Sequence, residues 1–174
     1  MGQFGLLAEA LRYPAPGRLD ILRQNGMELA DEGCKKAYSH FINGISRLSL
    51  GDWEELHTRT LDLNPPAAPY IGYQTWGDNY QRGTFMSMMN RAIAAHQVDS
   101  EGELPDHLIP VLRLVDALDE PPDELIEVLS PAVDRIHAAM EKADPTNPYV
   151  NLMKAIAITC SSIMRTSIPT VSRN

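Results

Sequence analysis

The stretch Glu103-Leu104-Pro105-Asp106-His107-Leu108 packs two carboxylates, an imidazole and a stiffening proline into one short segment. An aspartate beside a histidine can serve as a general acid–base pair. The same residues also suit the mouth of a helix. Proline takes the first helical position without losing a hydrogen bond, and an acid in the first turn meets the positive end of the helix dipole. The sequence therefore predicts Pro105 and Asp106 in the first turn of an apolar helix, with His107 at the edge of its stripe.

A second cluster is Gly77-Asp78-x-x-x-Arg82-Gly83. Asp78 and Arg82 stand at i, i+4, where an ion pair on one helix face is worth roughly 0.3–0.5 kcal/mol. Gly83 inside a helix costs roughly 1 kcal/mol relative to alanine, a cost that close packing of another backbone would explain.

Other chemistries find little to work with. No two of His40, His57, His96, His107 and His137 share the i, i+4 spacing around a glutamate, and none pairs with a cysteine at ligand spacing. No protein-held metal or cofactor is expected. The glycine patterns of phosphate-binding loops are missing, and so is the G-x-S-x-G elbow of serine hydrolases. Cys34 falls in a charged helix start and Cys160 on an apolar face, so neither reads as a nucleophile.

The formal net charge of −8 repels phosphate backbones, which argues against nucleic acid as a partner, and would attract a basic peptide. Two isolated cysteines suit a reducing cytoplasm. The N-terminal residues lack the basic and apolar regions of a signal peptide, and no run approaches the roughly 20 apolar residues of a membrane span. At 174 residues with 44% hydrophobic content, one domain spanning 1–174 with a sizeable core is expected.

These residues must be positioned by helices, because the apolar periodicity is helical nearly throughout. Phe4, Leu7 and Leu11 share a face that Pro14 ends. Leu19, Ile21, Leu22 and Leu29 mark a second helix, and residues 31–48 a third. Asp52 reads as the N-cap of a short helix through Thr60. Asn64-Pro65-Pro66 interrupts the pattern. Periodicity resumes at Ile71 and Tyr73 and pauses at Gly77. It then continues through Phe85, Met86, Met89, Ile93 and Ala94. Leu104, Leu108, Val111, Leu112, Val115 and Leu118 form the next stripe. Asp123 and Glu124 open a helix with Leu125, Val128, Leu129, Val133, Ile136 and Met140 inward. Asn147-Pro148 opens the last, with Val150, Met153, Ile156, Ala157, Cys160, Ile163 and Met164 inward. The expected fold is an all-α single-domain bundle of about eight segments.

Three blocks in order resemble the assembly chaperones of complex molybdoenzymes, in particular the nitrate reductase delta-subunit (NarJ) type of the TorD/DmsD/NarJ family. They are His57-Thr58-Arg59-Thr60-Leu61-Asp62, Gly77-Asp78-x-x-x-Arg82-Gly83 and Glu103–Leu108. The likeness covers Trp53 to Leu118, and the flanks match only as helical segments. Four positions depart from the family pattern. Leu61 replaces an aromatic residue, His57 a frequent tyrosine and Arg113 a frequent glutamate, while Pro110 falls one place late.

The resemblance implies an all-helical cytoplasmic protein that is not an enzyme. Such a protein binds the N-terminal leader of an apo molybdoenzyme catalytic subunit, assists molybdenum cofactor insertion and leaves the finished complex. It implies peptide binding by Glu103, Leu104, Pro105, Asp106 and His107, supported by Asp62, Tyr70, Gly77, Asp78, Arg82 and Gly83. A basic, amphipathic leader helix would lie in a groove with an acidic rim around Asp106 and Asp78. Monomer and homodimer are both open. The competing readings are a small helical enzyme using Asp106 and His107 as an acid–base pair, and a structural adaptor docking through another surface.

Overall fold

A computed structural model describes residues 1–166, with side chains through residue 163. Among these residues the protein is all-α. Nine helices run in the order α1 (Gln3–Ala10), α2 (Arg18–Glu28), α3 (Glu32–Ile45), α4 (Leu50–His57), α5 (Ile71–Trp76), α6 (Tyr80–Ala95), α7 (Leu108–Ala117), α8 (Asp123–Ala143) and α9 (Pro148–Thr166). The inward face expected of the last helix is buried or half-buried as far as Ile163; the side chain of Met164 lies outside the described residues.

The core is built from sequence-distant pairs. α3 packs along α9, α8 lies against α9 and α5, and α1 packs on α7. Tyr38, Phe41 and Ile45 of α3 meet Tyr149, Leu152, Met153 and Ile156 of α9, all buried. Phe41 and Tyr149 are in ring contact at 5.3 Å. The buried Tyr38 hydroxyl and Trp53 indole in this core are satisfied, as their burial requires. Tyr38 Oη donates to the Leu22 carbonyl at 3.1 Å, and Trp53 Nε1 donates to Tyr149 Oη at 3.0 Å.

Several local expectations are corrected. Ser49, not Asp52, caps α4: its hydroxyl accepts from the Asp52 amide at 3.1 Å and donates to the Asp52 carboxylate at 2.6 Å. Ser49 thus satisfies an amide of the first turn and holds the Asp52 carboxylate with its own hydroxyl, which starts the helix earlier than the glycine suggested. α4 also does not stop at Thr60. It runs into a π-helical turn over Thr58–Asp62, where Leu63 donates to the Thr58 carbonyl at 3.0 Å. Such one-residue insertions re-aim side chains and recur at functional sites.

Ile21 and Ala94 face solvent rather than the core, because α2 and α6 each bury only a narrow strip. Nothing approaches the position a Gly83 Cβ would occupy, so packing of a neighbour does not explain that glycine. Near the candidate site, the crowded glycine is Gly72 on α5. A Cβ there would lie 2.8 Å from Asp106 Oδ2 and 3.2 Å from Arg82 Cγ.

Candidate functional site

The segment before α7 is held differently from the sequence expectation. His107 is the N-cap: its Nδ1 accepts from the Ile109 amide at 3.1 Å. Pro105 and Asp106 therefore lie in the turn ahead of the helix. Leu104 stands apart from the apolar stripe and is 50% exposed. The reason lies in the extended pairing of this turn with the residues before α5. Ile71 donates to the Asp106 carbonyl and Leu108 donates to the Pro69 carbonyl, each at 2.8 Å, and the Tyr70 ring meets the His107 ring edge-on at 5.0 Å. That pairing supplies backbone partners a helical turn would otherwise supply.

Asp106 is completely buried, at 0% exposure. Arg82 Nε donates to its Oδ2 at 2.8 Å, and Nη2 reaches Oδ1 at 3.4 Å. Arg82 Nη1 donates to Asp78 at 2.8 Å, and the guanidinium lies over the rings of Tyr70 and Tyr73. The hydrogen bond to Asp106 is the main cause that pushes the Arg82 pKa further up. The Asp78–Arg82 pair thus forms as spaced, but Asp78 precedes the helix and Asn79 caps α6, accepting from the Gln81 amide at 2.9 Å. An acidic rim cannot include Asp106, whose charge is enclosed and matched by Arg82. Asp78 remains open, its side chain 82% exposed.

The proposed Asp106/His107 acid–base pair does not assemble. Asp106 oxygens are taken by Arg82, and His107 spends Nδ1 on its own helix. Burial lowers the His107 pKa to about 4, which keeps the imidazole neutral with its proton on Nε2.

Next to His107 lies a cavity of about 190 Å³ lined by His57, Asp62, Glu103, His107, Tyr13 and Glu101, among others. His57 was legible only as a member of the first block, and Tyr13 not at all. The π-helical turn brings Asp62 to this cavity, and α4 brings His57, which is 6% exposed. His57 Nε2 lies 3.0 Å from the Leu11 carbonyl, which can only accept, so that nitrogen carries the proton. Nδ1 is then a buried lone pair without a partner. Burial also lowers the His57 pKa. Glu103 accepts a long 3.5 Å contact from Tyr70 Oη, and its pKa is raised by burial and by neighbouring Asp62. Burial, then Glu103, raises the Tyr70 pKa in turn.

Sequence-distant candidates therefore meet: Asp62, Glu103 and His107 line one cavity, Asp78 and Asp106 share Arg82, and Tyr70 touches Glu103, His107 and Arg82. Gly77 ends α5 with φ +66, a left-handed geometry that favours glycine, and Gly83 faces open space beside Asp78 and Arg82. Arg113 is spent on the fold: its Nη2 donates to Glu9 and to Glu101 at 2.6 Å each, and Arg12 completes the network. Pro110 lies in the first turn of α7, where a missing N–H costs no helical bond. Among the described residues no helix is long and apolar enough to cross a membrane, and no group of three His, Cys, Asp or Glu could hold a metal ion. Comparison with protein-family models and with curated proteins finds no match for this chain.

Proposed function

We propose that this protein is a cytoplasmic chaperone for the catalytic subunit of a molybdoenzyme, a nitrate reductase or close relative, and that it has no enzymatic activity of its own. The observation that carries the reading is the junction of the resembling blocks. Arg82 of the second block grips Asp106 of the third at 2.8 Å, and Asp62 of the first faces the same cavity as Glu103 and His107. Residues placed far apart in sequence for no reason of local helix chemistry are spent on one turn.

In this reading Pro105, Asp106 and His107 shape the turn, and Arg82 and Tyr70 hold it. A leader peptide contacts what the turn presents: Leu104 and Glu103, with exposed Leu63 and Tyr13 nearby along the chain elements that line the cavity. Apolar contacts supply affinity, while the net charge of −8 steers a basic leader toward the surface.

Titration calorimetry with N-terminal peptides of candidate catalytic subunits tests the proposal. One peptide binds the wild type, and Leu104→Asp weakens it at least tenfold with the helical circular dichroism intact. The proposal is overturned if no leader peptide binds, or if the peptide binds Leu104→Asp as tightly as wild type.

A further inference from the structure

We infer that the groove between α2 and α3 docks the acidic connection between α7 and α8 of a second copy of this chain. Charge is spread unevenly along the sequence. Residues 18–47, which hold both helices of the groove, carry five Lys and Arg against four Asp and Glu, whereas residues 48–174 carry nine against eighteen. The groove, about 710 Å³ in volume, gathers Arg23, Lys35 and Lys36 around an apolar floor, with Glu32 as the acid in its lining. Gly26 lets α2 lie directly on the Tyr38 ring, since a Cβ there would stand 3.0 Å from it. Met27 stands beside that floor at 73% exposure, an apolar side chain left uncovered.

The cations of the groove are weakly engaged. Lys36 is exposed and makes no ion pair among the described residues. Lys35 reaches Glu32 only at 3.7 Å, and Arg23 pairs with Asp20 on the open surface of α2. Exposed pairs of this kind contribute little, so both side chains are free to turn to a better partner.

Charge complementarity selects that partner. Asp119-Glu120-Pro121-Pro122-Asp123-Glu124 holds four carboxylates and no cation. All four acids are exposed, and none makes an ion pair among the described residues. Pro122 is extended, with φ −56 and ψ 138, and the paired prolines hold the stretch in that form. A stiff segment loses little conformational freedom on docking, and its proline rings offer Met27 and the groove floor an apolar surface. The segment is fixed at both ends by α7, which packs on α1, and α8, which packs on α5 and α9. None of its residues lines the groove of its own chain, so a second copy must bring it there.

One copy's groove meets the other's connection, so the contact is heterologous and leads to a ring or an open array rather than a twofold pair. A groove and a six-residue stretch fall short of a standard interface of about 1,600 Å², which makes the association weak and reversible. None of these residues belongs to the turn before α7, and the inference stands whether or not a leader peptide binds there.

Sedimentation velocity of the full chain, from micromolar to millimolar concentration, tests the inference. The weight-average sedimentation coefficient of the wild type rises with concentration. Lys35→Glu/Lys36→Glu makes the groove acidic and Asp119→Lys/Glu120→Lys makes the connection basic; each variant keeps its helical circular dichroism and stays monomeric over the same range. The second variant is the sharper one, because it takes the net charge from −8 to −4, which by itself favours association. Mixed in equal amounts, the two variants associate again, since each supplies the charge the other has lost. A wild type that stays monomeric throughout, a single variant that associates as the wild type does, or a mixture without rescue overturns the inference.

Discussion

Arg82 is the residue on which the motif turn depends. It faces Asp106, a carboxylate with no solvent contact, and its own side chain is largely covered by Tyr70 and Tyr73. Deleting one partner of a buried pair leaves the other charge unmatched, at about 3–5 kcal/mol. Arg82→Ala is expected to lower urea-unfolding stability by that amount, and Asp78→Ala, at the exposed end of the same guanidinium, by less than about 1 kcal/mol. Equal losses in the two variants would show that Asp106 is not the partner that matters. His107 makes a different claim, on pH. Its folded pKa of about 4 lies below the ordinary value of 6.5, so the fold favours the neutral ring. That contribution is complete above pH ~6.5 and is lost as pH falls toward 4, about 3 kcal/mol over the interval. His57 is shifted in the same direction by burial and adds to the loss. His107→Asn keeps a side-chain acceptor at the N-cap and removes the titration. Its unfolding free energy, followed by denaturant titration from pH 7 to 4, should fall markedly less than that of the wild type.

At the scale of elements, two glycines separate packing from propensity. Gly72→Ala forces a methyl against Asp106 and Arg82, and a loss of about 1–3 kcal/mol is expected. Gly83→Ala meets open space within α6 and should gain up to about 1 kcal/mol. Thermal melts of the two variants that move in the same direction would refute the assignment. This pair also shows what the sequence could tell. Periodicity alone located the helices, since α3, α7, α8 and α9 each carry a well-separated apolar stripe. It could not show which glycine is crowded, because the crowding comes from residues 10 and 34 positions away in the chain, Arg82 and Asp106. The candidate site was legible as a set of residue types. Its arrangement was not, for one physical reason: Pro105 and Asp106 have good helix-start chemistry, but the backbone pairing with Pro69 and Ile71 competes for the same amides and carbonyls and wins. The capping role passed to His107, whose imidazole nitrogen is an uncommon cap acceptor that spacing does not announce. The Ser49 cap, by contrast, was readable from Ser49 and Asp52 and was obscured only by the adjacent Gly51.

Across the whole molecule, the core is stitched from distant segments. α3 and α9 share the largest helix–helix interface, and Thr159 of α9 donates to Cys34 of α3 across 125 positions. Asn147, at the start of α9, donates to Thr60 in the π-helical turn at 2.7 Å, which ties the last helix to the block that carries His57 and Asp62. The last helix is thus tied both to α3 and to the segment that leads into the candidate site. The pairing of α3 with α9 has a consequence for biosynthesis. While the ribosome is making α4 to α8, Phe41 lacks its Tyr149 partner, and the face of α3 that α9 will cover is open to other nascent chains. Folding must wait for α9 to be synthesised, so this protein, proposed as a keeper of unfinished enzymes, has a long unfinished interval of its own.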